Sequence, residues 1–376
     1  MKKVSYLLFA VIFSVSTAYS LNMATIESIR SRTVSSGSEL SASDVAAIAD
    51  FWGSALDQLL LSESSQEIVE IRQQLEQGRG NEHLSYFATG YIAQAKKSIL
   101  GAFENAKRID NPGHRKIIQQ NLMILTGNLR SPKLAPLAIE RLNSEDAVVR
   151  YWAVKSLTQP AVIKQLTDPV TRDEQATETI LTALKDMVDR GTHPDTRNLI
   201  TRFCVSFNLP TARQVLLAMA TERIKAYQQW NPGDVLPDRH LLISLAAIAQ
   251  GSQDAKIRQD FGRAFAELFA MAMQRYWMGI EMFSGDEIDQ LNTVIAGVDQ
   301  TVLDNKMSIR TGILQALRTR NMSVLKREYE ALLGDRTRSG KLAESLNFDY
   351  GKDASGRAVS QPPKLPPAPV SEPEQN

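Results

Sequence analysis

A single cysteine, Cys204, occurs in 376 residues, so no internal disulfide can brace the chain and its stability must come from packing. Histidine is almost as scarce. His83, His114, His193 and His240 stand too far apart in sequence for any two to share a helical turn, which removes the usual helical metal pair. Net charge is nearly absent, with 43 basic residues facing 42 acidic ones for +1. A nucleic-acid binder usually carries a basic excess, so that class is set aside. Strand-like alternation of period two is missing, and no Asn-Gly turn joins β-branched runs. What remains is ordinary globular composition, 43% hydrophobic and 23% charged, which excludes disorder of the whole chain.

The start of the chain has the pattern of an export leader. Met1-Lys2-Lys3 precedes about 15 mostly apolar residues that end at Ala18, a run short for a bilayer span of roughly 20 residues. Ala18 and Ser20 supply small residues at −3 and −1 for cleavage after Ser20, and Ser16 and Ala18 supply them two residues earlier. Residues 1–20 therefore read as a signal peptide, with a retained membrane anchor as the alternative. No later stretch is apolar enough to cross a membrane. An exported protein, periplasmic or secreted and without a stable span after cleavage, is expected.

Helical spacing dominates the rest. Ser41-Ala-Ser-Asp44 forms a capping box ahead of Val45, Ile48, Trp52, Leu56 and Leu59. Apolar residues at steps of three or four continue almost unbroken to Leu333, with Gly, Pro, Asn or Asp at most joints. The run from Phe261 to Phe283, widened by Met271, Met273, Met278 and Met282, suits either a core helix or an adaptable interface. Residues 21–40, rich in Ser, Thr and Arg, are expected to be a flexible arm, and 41–111 an N-terminal helical segment. Helical repeats are expected over 112–334 and a disordered tail over 335–376. Gln361 to Asn376 holds six of the 15 prolines and favours extended polyproline geometry, either as a free tail or as a ligand for a partner groove.

Chemistry is hard to find. Cys204 lies in the apolar stretch Leu199–Phe207 and is expected to be a buried small hydrophobe. Gly334 to Lys341 resembles a phosphate loop, but it has one residue too many between its glycines, and Leu342 stands where Ser or Thr would hold magnesium. No Gly-x-Ser-x-Gly elbow occurs. Catalytic residues, cofactors and metals are accordingly not expected.

The most informative block is Leu142-Asn-Ser-Glu-Asp-Ala-Val-Val-Arg-Tyr-Trp-Ala-Val-Lys-Ser-Leu157. Ser144 is placed to cap a helix, with Glu145 and Asp146 in its positive first turn. Val149, Trp152, Ala153, Ser156 and Leu157 share one face for packing, leaving Val148, Tyr151, Lys155 and Thr158 opposite. Arginines followed by small or apolar residues at +3 and +7 recur at Arg115, Arg150, Arg197, Arg239 and Arg310, at gaps of 35, 47, 42 and 71 residues. The first three gaps are near one helical-hairpin repeat and the last near two.

The block resembles the second helix of a HEAT repeat, with Asp146, Val149, Arg150, Ala153 and Leu157 at the family's structural positions. That resemblance implies an all-α, HEAT-like α-solenoid, with Arg150 joining neighbouring repeats. An irregular helical bundle has the same apolar periodicity and is the alternative fold. By analogy with solenoids, a concave surface including Tyr151, Lys155 and Thr158 would bind a protein or peptide partner. A non-catalytic interaction scaffold is the expected function. A helical enzyme or accessory lyase, or a structural envelope component tethered by its tail, is the alternative.

Overall fold

Polar caps fix where the helices begin. In a computed structural model describing residues 21–80 and 84–368, Ser41 accepts from Asp44 N at 3.2 Å and Asp44 accepts from Ser41 N at 3.0 Å, completing the expected capping box. The leader, His83 and residues 369–376 lie outside the described residues. Among those described, the fold is all-helical. Its only β-type pairings are the isolated bridges Gly334–Ser339 and Lys352–Ala358. No described helix is long and apolar enough to cross a membrane.

The chain divides into two compact units, 1–121 and 122–376. The first contains α1 (Met23–Ser36), α2 (Ala42–Leu61), α3 (Ser65–Gly78), α4 (Tyr86–Ala106) and the start of α5 (Pro112–Asn128). Trp52 and Tyr91 are fully buried 5.3 Å apart, and Tyr91 donates to Leu75 O at 2.7 Å. The expected flexible arm is corrected here: residues 23–36 form a helix. Asn22 caps it, Gly37 closes it in the left-handed conformation, and Ile26, Ile29 and Thr33 are buried. Few apolar residues on a mostly polar helix gave a weak pattern, yet Ile26 and Ile29, with Thr33 donating to Ile29 O at 2.7 Å, share one face that seats it.

In the second unit a 3-10 turn, Pro132–Leu134, leads into α6 (Ala135–Ile139), followed by α7 (Ala147–Thr158), α8 (Pro160–Thr167) and α9 (Glu174–Asp189). Next come α10 (Pro194–Val205), α11 (Pro210–Gln228), α12 (Asp238–Gly251), α13 (Ala255–Gly279) and α14 (Gly285–Val298). A π-helical turn, Asp299–Asp304, extends α14, and α15 (Ile313–Arg318), α16 (Met322–Leu333) and α17 (Lys341–Leu346) complete the set. Alternate helices pack on each other: α6, α9, α11 and α13 in one succession, and α7, α10, α12 and α14 in another. The Met-aromatic run is core as far as Tyr276, with Phe261, Phe265, Phe269, Met271 and Met273 also buried, whereas Met278 is half-buried and Met282 exposed.

The second correction concerns the tail, which is ordered as far as Ala368. Leu342, Leu346, Phe348 and Leu365 are buried, and Arg263 of α13 holds Asp349 O at 2.7 Å. Gly334 has φ +102°, and a Cβ there would lie 2.1 Å from Ser360 O, so only glycine lets the returning chain approach. Widely spaced anchors replace the dense apolar pattern by which a core segment is usually recognised.

Candidate functional site

An open cleft of about 1200 Å³ lies in the second unit, where the starts of α7 and α10 meet the end of α9 and the loop before α12. Asp146 is the N-cap of α7, accepting from Val148 N at 2.8 Å and Val149 N at 3.0 Å. This corrects the expected cap at Ser144. Arg150 was expected to reach the adjoining repeat, and instead its Nη1 donates to Ser144 O and Glu145 O at 2.5 and 2.8 Å. The short turn before α7 leaves those carbonyls unpaired within reach, so the guanidinium closes its own loop. The arginine that does reach a distant segment is Arg197 of α10, whose Nη1 donates to Asp234 O in the loop before α12 at 2.9 Å.

The expected packing positions Val149, Ala153 and Leu157 are buried, together with Val154 and Ser156, while Trp152 is half-buried. Of the three expected contact residues, only Tyr151 lines the cleft. It is half-buried, edge-on to Trp152 at 5.9 Å between ring centres. Lys155 lies away from the cleft, its ammonium 4.1 Å from the Trp152 ring centre. Thr158 is buried and donates to Val154 O at 2.8 Å. Because α8 begins at Pro160 and packs back on α7, the last turn of α7 is enclosed rather than facing outward.

A buried charge cluster anchors the cleft's far rim. Arg223 Nε and Nη2 bind the two oxygens of Asp238 at 2.7 and 2.8 Å, and Tyr227 OH donates to Asp238 at 3.0 Å. Arg223 Nη1 donates to Pro232 O at 2.7 Å. Two buried arginines, one on α10 and one on α11, thus grip the backbone at Pro232 and Asp234, in the loop whose Asp234, Leu236 and Pro237 line the cleft. Burial opposes the charge of Arg223, but Asp238 more than offsets it, and Arg223 holds its proton more tightly than usual. Arg197 is shifted the other way, by burial first and by the Arg223 charge second. Burial holds Tyr227 well above the ordinary phenol range, so it stays a donor. The pattern was not legible in sequence, because it joins the arginines of two helices to an aspartate beyond a loop.

The cleft carries four carboxylates, Glu145, Asp195, Glu222 and Asp234, against the guanidiniums of Arg150 and Arg190. Between them lie the apolar side chains of Val148, Met187 and Leu236. His193 lines it too, but its Nδ1 accepts the cap bond from Asp195 N at 3.4 Å and lies 3.3 Å from the Asp195 carboxylate. The lining thus combines an acidic balance with apolar side chains. Elsewhere, His114 Nε2 lies 3.0 Å from Leu60 O, and burial together with the Arg202 charge lowers the pKa of His240. Cys204 is buried, which pushes its thiol far up. No group of three or more His, Cys, Asp or Glu suited to a metal occurs among the described residues. The chain matches no protein-family model, and no curated protein matches its sequence.

Proposed function

We propose that the protein is an exported, non-catalytic interaction scaffold, a HEAT-like α-solenoid that takes a protein or peptide partner in the cleft at the starts of α7 and α10. The alternating succession supports the solenoid, because each of α9, α10, α11 and α12 packs on one helix earlier and one later in its own succession, as stacked repeats would. The observation that carries the binding role is the cleft itself, a large open concavity whose rim is fixed by buried guanidiniums. Its four carboxylates favour a partner segment bearing lysine or arginine next to apolar side chains.

Affinity purification from the native envelope fraction, followed by mass spectrometry and binding with the purified candidate, tests this reading. Tyr151→Ala combined with Glu222→Lys should weaken that binding at least tenfold without changing the fold by circular dichroism. Equal binding by both chains removes the cleft from consideration. Export has its own test: the intact mass of exported material should correspond to a start at Tyr19 or Leu21. A chain that keeps Met1 to Ser20 contradicts it.

A further inference from the structure

The Pro-rich segment lies along α13 and α16 in a manner that differs from ordinary tail packing. Pro362 and Leu365 are buried, Pro363, Lys364, Pro366 and Pro367 are exposed, and Ala368 is half-buried. A burial period of three is that of a polyproline II helix lying with one edge in a groove. On the groove side the polar contacts come from side chains. Gln274 of α13, itself 3% exposed, donates to Pro363 O at 2.9 Å and accepts from Leu365 N at 2.8 Å. Trp230 Nε1 donates to Pro366 O at 3.1 Å. On the strap side every one of these groups is backbone, so the groove reads a conformation and an apolar anchor.

The groove's side chains also brace one another. Tyr329 OH accepts from Gln274 Nε2 at 2.9 Å and orients the amide, while Trp277 stands edge-on to Tyr329 at 4.9 Å. Trp230 occupies the left-handed region at φ +57°, where a bulky residue is uncommon, and that backbone directs its indole to the strap. A space of about 280 Å³ lined by Trp277, Met278 and Lys326 remains beside Leu365. Aromatic-lined grooves with amide and indole donors are how proteins take extended Pro-rich ligands.

We propose that this groove is a binding site for an extended proline-rich peptide anchored by leucine, and that residues 361–366 are its resident ligand, exchangeable with a partner segment of the same Pro-Pro-x-Leu-Pro chemistry. With the strap gone, the buried Gln274 amide loses two partners, so exchange is favoured over vacancy. The site shares no residue with the cleft and stands or falls separately from it.

The test uses the full chain and a labelled synthetic peptide spanning Val359 to Ala368. Leu365→Asp should loosen the resident strap, and the peptide should bind that variant at least tenfold tighter than the unaltered chain. Adding Gln274→Leu should abolish the gain. In the unaltered chain, excess peptide carrying Lys364→Gln should accelerate tryptic cleavage after Lys364, because displacement frees the backbone there. This second measurement decides alone if Leu365→Asp does not fold. Absence of saturable binding to a folded Leu365→Asp chain, or unaltered cleavage under saturating peptide, overturns the proposal.

Discussion

Asp238 is the residue on which most of the cleft's support converges. Removing one partner of a buried ion pair strands the other, so Asp238→Ala should cost about 3–5 kcal/mol in urea denaturation. Arg150→Ala removes two bonds to loop carbonyls on a half-buried residue and should cost about 1–3 kcal/mol. Tyr151→Ala loses an edge-on aromatic contact and should cost about 1 kcal/mol. An order in which Tyr151→Ala exceeds Asp238→Ala would contradict this placement of the burden. Cys204 offers a separate check. Burial raises its pKa and shields it, so a thiol reagent should label it only as fast as the chain unfolds, and rapid labelling of the native protein would count against its position. The residues most legible in sequence were those in a dense local pattern, such as Val149, Ala153 and Leu157. Arg150 and Arg197 share a sequence pattern yet differ in role, because the lengths of the neighbouring loops decide which carbonyl each guanidinium meets.

Among the elements, capped and strongly periodic helices such as α2 and α4 were readable, whereas α1, α8 and α17 were not. Those three are short or largely polar, and tertiary contacts determine their conformation. Met307 to Gly312, at the start of the helical pattern that runs to Arg318, is not helical, since Ser308 takes φ +56° and Thr311 turns to donate to Asp299 at 2.6 Å. The Gly334–Gly340 loop lends itself to a pH experiment. Bonds from the Thr337 hydroxyl and amide, with one from Arg338 N, depress the Asp335 carboxyl to about 2. Its folded pKa lies below the unfolded value of about 3.9, so its contribution is present above that value and is lost as pH falls through about 2. The protection factors of the Thr337 and Arg338 amides, measured against the intrinsic exchange rate at each pH, should therefore hold from neutral pH to about pH 4 and fall toward pH 2. Asp335→Asn should remove that dependence, and a dependence unchanged in the variant would assign it to another group.

For the molecule, the all-helical class followed from what the sequence omits, and in the second unit helices two or three apart in the chain pack on each other. The cleft was only partly foreseeable. Tyr151 could be placed on the outward side of one helix, but the loop carrying Asp234 and Leu236 reaches it only through packing among α10, α11 and α12. The ordered strap was hidden for another reason: proline-rich composition signals extended backbone and says nothing about whether a groove receives it. If the cleft holds the partner as proposed, its lining should lose solvent access on binding. Hydrogen exchange of the full chain, with and without the purified partner, tests it most directly. Slowed exchange is expected in residues 143–151, 190–198 and 234–237, with the rest of the chain unchanged. Slowing confined to the first unit, or to α13 and the strap, would contradict it.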